Sequence, residues 1–280
     1  MSAISPKLTA TPGALAFSAA RLAFAALVVA FLLLPLVAIL PLAFTDSVFL
    51  TYPISGPSLR WFDTLATSDA WKRSILNSLI IGSGATLLST VVGTLAALGL
   101  RRELVPLSGV LRSIFLLPMV VPAVVLGVGL QISLVKLGLS NSYLGVILAH
   151  SVLCVPFVVV SVSTALQGID PRIGRAAASL GASPATVFRR VTLPLAMPGV
   201  VTGAVFSFAT SLDEVVLTLF VAGPNQRTLA RQMFSSIREN ISPAVAAAAF
   251  LLILGTLLLA GLSALINRRK PKGGVVAVPE

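Results

Sequence analysis

GRAAASLGASPATVFRRVTLP, residues Gly174–Pro194, is a long, polar, arginine-bearing interruption in a chain that otherwise reads as membrane-embedded. Three alanines, Ala176, Ala177 and Ala178, suit the start of a short helix, and Gly181 suits a break. Ser183-Pro184 then has the form of an N-cap followed by proline at the first helical position, which predicts a second short helix. Phe188, Val191 and Leu193 give that helix one apolar stripe, and Pro194 is expected to stop it. Two short helices joined at a glycine would project from the membrane as a peg that another protein could grip.

The rest of the chain explains why a peg stands out. Of 280 residues, 56% are hydrophobic and 10% are charged, with a mean hydropathy of +1.01. Soluble domains carry about a quarter charged residues, so this is a polytopic membrane protein of all-α class. A bilayer crossing takes about 20 apolar residues. Six runs meet that length: Leu22–Phe44, Ser74–Leu100, Ser113–Val135, Ser142–Gly168, Leu195–Gly223 and Ile241–Asn267. The first is too long for a signal-peptide core and is read as a retained span. Residues 1–20 read as a loosely ordered tail, 21–268 as a six-helix transmembrane domain whose polar loop is 170–194, and 269–280 as a second tail. The loop Thr45–Arg73 carries Trp61 and Trp71, expected at the membrane interface or on a surface that receives a partner.

The net charge of +11 would suggest nucleic acid in a soluble protein, but here the basic residues lie between apolar spans and report orientation instead. With the N-terminus inside, the inner side holds thirteen of them: Lys7, Arg21, Arg101, Arg102, Arg112, Arg172, Arg175, Arg189, Arg190, Arg268, Arg269, Lys270 and Lys272. The outer side holds seven: Arg60, Lys72, Arg73, Lys136, Arg227, Arg231 and Arg238. Both termini, and the 174–194 peg, are therefore expected in the cytoplasm.

Few residues could carry chemistry. Cys154 is a single cysteine inside an apolar run, and His150 is a single histidine with no nearby cysteine, aspartate or glutamate, so no metal site is expected. His150 reads as a hydrogen bonder between helices. No hydrolase elbow and no phosphate-binding loop occurs, so no catalytic residue and no bound cofactor is expected; ATP, if it powers the protein, binds another chain. Asp213-Glu214, just after Ser211, is the acidic pair inside a span. Asp213 would lie about 22 Å along a helix counted from Pro198, past the midplane. Ionisable groups at that depth face a polar interior or a partner. Adjacent helical positions diverge by about 100°, so one carboxylate can face a pathway for a cationic solute, or an outer gate, while the other clamps neighbouring helices. The segment Ala222–Pro243 is helix-capable between turn signals.

The peg closely resembles the cytoplasmic "EAA" loop of ABC-importer permeases. Ala176, Ala177, Gly181, Phe188, Val191, Leu193 and Pro194 match that pattern, whereas the usual acidic position holds Arg175. Ser211–Pro224, SLDEVVLTLFVAGP, extends the resemblance to the spermidine/putrescine class over about residues 70–268. The resemblance implies a type I, MetI-like permease bundle of six helices in a bacterial inner membrane, not an enzyme. It implies that Arg175, Ala176, Ala177, Gly181, Ser183, Pro184, Phe188, Leu193 and Pro194 dock on an ATPase, and that Ser211, Asp213 and Glu214 belong to the pathway or its gate. The implied partners are a second homologous permease, two ATPase subunits and a periplasmic solute-binding protein. The implied cargo is a polyamine; other small amines, amino-acid derivatives and anions stay open, as does a stand-alone secondary transporter, although neither symmetric repeats nor an ion-coupling site is evident.

Overall fold

The computed structural model describes residues 12–101 and 107–268. Every named element among them is helical: α1 Pro12–Ile39, α2 Arg60–Thr67, α3 Asp69–Leu100, α4 Ser108–Leu116, α5 Ala123–Lys136, α6 Tyr143–Gln167, α7 Pro171–Ser179, α8 Pro184–Val187, α9 Leu193–Asp213, α10 Val216–Val221, α11 Leu229–Glu239 and α12 Ala244–Arg268. α1 begins at Pro12, so residues 12–20, expected as loose tail, extend the first helix; residues 1–11 and 269–280 lie outside the described residues.

Five helical stretches are long and apolar enough to cross a membrane, at Ala16–Phe44, Asp69–Leu100, Tyr143–Gln167, Pro184–Asp213 and Ala244–Leu265. The expected third span is not one rod. Ser108–Met119 and Ala123–Lys136 meet at 100°. The break falls at Pro122, which lacks a donor and is itself extended, at φ −55° and ψ 131°; Pro118 only opens a 3₁₀ turn, with Leu117 before it still helical at φ −52° and ψ −41°. The expected fifth span is also interrupted. α9 stops at Asp213, Glu214 is extended at φ −76° and ψ 113°, and α10 restarts at Val216.

The core is a cluster in which α3, α6 and α9 each pack against the other two, with Ser89 of α3 bonded to Ser207 of α9, and more than half of the most apolar window of α6 is buried. Small residues set its thickness. A Cβ at Gly199 would come within 2.5 Å of the Ala165 Cβ and 2.7 Å of the Ser161 carbonyl, so only glycine lets α9 lie this close to α6. At one end of the bundle, Ala97, Val158, Val162, Leu166 and Ala196 interlock. At the other, α2, α11 and the alanine-rich start of α12 close over Trp61, Leu65 and Trp71. Both tryptophans are buried there rather than turned to a lipid interface. The small side chains Ala244 and Ala246–Ala248 leave room for their rings. Phe44, Phe62 and Phe250 complete this cap with mutual edge and tilted contacts. α1 is apolar all round, and its most apolar window is 0% buried, as suits a helix whose surroundings are lipid or another membrane chain.

Candidate functional sites: a projecting peg and a broken helix

The peg is built from its caps. Asp170 accepts a hydrogen bond from the Arg172 amide at 2.8 Å and Pro171 follows it, so α7 starts there. Ala176–Ala178 therefore fall in the second half of α7 rather than at its start; Asp-Pro caps a helix better than alanine does. Gly181 has φ +85°, a left-handed conformation that glycine adopts at no steric cost, and it turns the chain between the two helices. Ser183 caps α8 by accepting from Thr186 at 3.3 Å, with Pro184 next.

Pro194 does not stop the second helix. Phe188–Thr192 form a wider π turn, with the Leu193 amide bonded to the Phe188 carbonyl, and the helix runs on from Pro184 to Asp213. The wider turn resets the register so that Pro194 falls in the first turn of α9, where a missing donor is tolerated. The peg is thus mechanically continuous with the span that carries the acidic pair. Arg175, with Arg101, Val187, Phe188 and Thr192, lines a groove of about 990 Å³ between the peg and α3. Leu180, at the tip, is 90% exposed, and Arg172, Arg175, Arg189 and Arg190 are exposed around it.

The second site is the break after Asp213. Asp213 is exposed and Glu214 half-buried, and both line a cavity of about 560 Å³ between α9 and α12, with Thr210, Leu252 and Thr256. The carboxylate of Glu214 accepts from the Leu217 amide at 2.8 Å, so it sits on the N-terminus of α10. The two carboxylates therefore differ because the helix ends between them, not because they diverge around one continuous helix. Ser211, expected beside them in the pathway, is 3% exposed and faces the core, two residues back and on the opposite side of α9. Its hydroxyl lies 2.8 Å from His150 Nδ1, and His150 Nε2 lies 3.1 Å from Thr218 Oγ1. Sequence reasoning placed His150 between helices but missed Thr218 as its partner. The signal was thin, since no proline or glycine marks the break at Glu214-Val215.

Around the far end, Asn77 donates to the carbonyls of Asn225 and Arg227, both at 2.9 Å, and accepts from Tyr143 at 2.7 Å. Ser78 accepts from the Leu229 amide at 2.8 Å. The segment between α10 and α11 is thereby fastened to α3 and α6. Arg231 donates to the carbonyls of Thr218 and Ala222, and so holds the C-terminal turn of α10. Among the described residues no group of three or more potential metal ligands comes together.

Comparison with known proteins follows the same lines. The family model described as the binding-protein-dependent transport system inner membrane component matches residues 89–272. The spermidine/putrescine transport system permease protein PotC of Haemophilus influenzae is 34% identical over 251 residues, which is 89% of this chain and 96% of that protein. The molybdenum transport system permease protein ModB of Mycobacterium bovis is 34% identical over 241 residues, 79% of this chain and 91% of that protein. A solved bacterial ABC transporter involved in the import of the acidic polysaccharide alginate has a chain with this fold, at a TM-score of 0.73 and 13% identity, covering 95% of this chain and 100% of that one.

Proposed function

We propose, for a chain that belongs to the family of binding-protein-dependent transport system inner membrane components, a role as one half of the translocation path for a small polyamine such as spermidine or putrescine. The family is one of transport permeases in the inner membrane, not of enzymes. In the assembly we propose, a second homologous permease completes the path, a periplasmic binding protein delivers the solute, and two ATPase subunits hold the ATP. Arg175, Ala176, Ala177, Gly181, Ser183, Pro184, Phe188, Leu193 and Pro194 form the surface an ATPase subunit grips, with both termini on the same cytoplasmic side. Because the peg runs unbroken into α9, movement of the ATPase would be passed to the break at Asp213.

Percentage identity does not choose the solute, since the relatives named for spermidine/putrescine and for molybdenum are each 34% identical, although the first matches 89% of this chain and the second 79%. The observation that favours a cation is the pair of carboxylates, Asp213 and Glu214, opening on a cavity at a helix break. A cavity lined by carboxylates attracts positive charge and repels anions. The test is uptake of labelled spermidine and putrescine by vesicles holding this permease with the ATPase, second permease and binding protein encoded beside it. ATP-dependent uptake that each polyamine competes for supports the reading. Uptake of neither, with uptake of an anion or a neutral amino-acid derivative, overturns it.

A further inference from the structure

We infer that His150 is a positioning residue of the transport path: it holds the helix break at Glu214 open, so that Asp213 and Glu214 keep facing the cavity. The hydrogen-bond arithmetic is directional. The Thr218 hydroxyl has one proton, and it is given to the Glu214 carbonyl at 3.0 Å. Thr218 Oγ1 can then only accept from His150, so Nε2 carries the ring proton. Nδ1 is the acceptor, and the Ser211 hydroxyl donates to it. The relay therefore runs from Ser211 in the last turns of α9, through His150 of α6, to Thr218 of α10, and ends on the backbone of Glu214.

Three features separate this from an ordinary packing histidine. His150 is fully buried with both ring nitrogens bonded. Its two partners lie on opposite sides of the break, so it fixes the distance between two helix segments that the backbone no longer couples. And α10 is only six residues long: α5 packs along it and Arg231 holds its C-terminal turn, while His150 ties its first turn back to α9. Without the relay, the end of α9 and the start of α10 would lose their fixed separation and be free to shift. That would rotate Glu214 off the α10 N-terminus and turn the carboxylates away from the cavity.

The inference rests on the proposed place of the acidic pair in the path, but its test needs no identified solute. A cysteine reporter, Thr210→Cys, lines the same cavity. In the assembled complex in membrane vesicles, it is labelled with methanethiosulfonate reagents of opposite charge, one trimethylammonium and one sulfonate. With both carboxylates facing the cavity, the cationic reagent should react faster than the anionic one by about tenfold. His150→Leu and Thr218→Val should bring the ratio to within about twofold of one. Thr218→Ser, which keeps the hydroxyl, should restore it. A merely structural histidine would lower the yield of complex and leave the ratio in the assembled fraction unchanged, and that result overturns the inference. A ratio near one before any change at His150 also overturns it, as does failure of both His150→Leu and Thr218→Val to assemble, which assigns the relay to folding. A complex that takes up neither polyamine but shows the expected ratios would sink the polyamine reading and leave this inference standing.

Discussion

Arg101, at the end of α3, donates a hydrogen bond from its guanidinium to the carbonyl of Ile169, 2.9 Å away and 68 residues along the chain. Ile169 lies in the short connection from α6 into α7, so this contact ties the root of the peg to the three-helix core. A charge-assisted bond to a partly buried carbonyl contributes about 1–2 kcal/mol. Arg101→Ala should therefore leave the protein in the membrane but let the peg tilt, and solute-stimulated ATP hydrolysis by the assembled complex should fall several-fold. Full stimulation in the variant would show that the tether plays no part in coupling.

Gly181 offers a sharper test of the peg. No atom lies within 4 Å of the position its Cβ would take, so a side chain meets open space and the only penalty is the positive φ. Gly181→Val forces a β-branched residue into that region at a cost of about 1–3 kcal/mol. The expected outcome is normal insertion with stimulated ATP hydrolysis lost. Gly181→Asn, which tolerates the left-handed region, should keep most of the stimulation. Equal loss in both variants would point to a side-chain clash with the partner instead.

Asn77 is the hub that fastens the α10–α11 segment, through two donated bonds and one accepted bond. Asn77→Ala leaves the Arg227 carbonyl without its donor, while the Tyr143 hydroxyl can still reach the Asn225 carbonyl at 3.3 Å, and should destabilise this end of the bundle by about 1–3 kcal/mol. Tyr143→Phe removes one of those bonds and should cost about 1 kcal/mol. Thermal unfolding of the purified complex would rank the two; a smaller effect for Asn77→Ala would mean that the segment is held by packing alone.

The acidic pair should respond asymmetrically. Asp213 is exposed to the cavity, whereas Glu214 also caps α10 through the Leu217 amide. Asp213→Asn should reduce polyamine uptake about tenfold or more with little change in complex yield, the scale of losing one favourable charge in a partly desolvated site. Glu214→Gln removes a charge from a helix N-terminus, worth about 0.5–1 kcal/mol, and should lower yield or melting temperature as well. Equal, mild effects of both on uptake and yield would remove the pair from the path.

The proposed orientation is checked by impermeant thiol labelling of spheroplasts. Cysteines at Ser55 and Asn225, both exposed at the α11 end, should react from outside, and a cysteine at Ser183 on the peg only after permeabilisation. The reverse pattern would remove the peg from the ATPase side.

Hydropathy alone determined that this chain crosses the membrane as helices, because a bilayer leaves backbone groups no partner but each other, and a run of about 20 apolar residues states that requirement directly. The peg's outline was equally legible: Gly181 and Ser183-Pro184 act through local backbone chemistry, and both behave as their types dictate. Pro118 and Pro122 signal a kink in the third span, but not the 100° bend between Met119 and Ala123, because proline inside a membrane helix has more than one outcome and neighbouring helices choose among them. The passage of the helix through Pro194 came from a π turn, which no residue type announces. Least legible was the break at Glu214. Glu214 caps the start of α10 locally, but an acidic residue followed by two valines does not by itself announce that a helix ends before it. The rest of the instruction comes from afar, from α5 packed along α10 and from a histidine 64 positions earlier in the chain, whose ring reaches one hydroxyl on each side of the gap. Local propensity is a property of neighbours in sequence, but a buried hydrogen bond is satisfied by neighbours in space. Only the packing of α5 and α6 against α9 and α10 could decide where the two carboxylates come to rest.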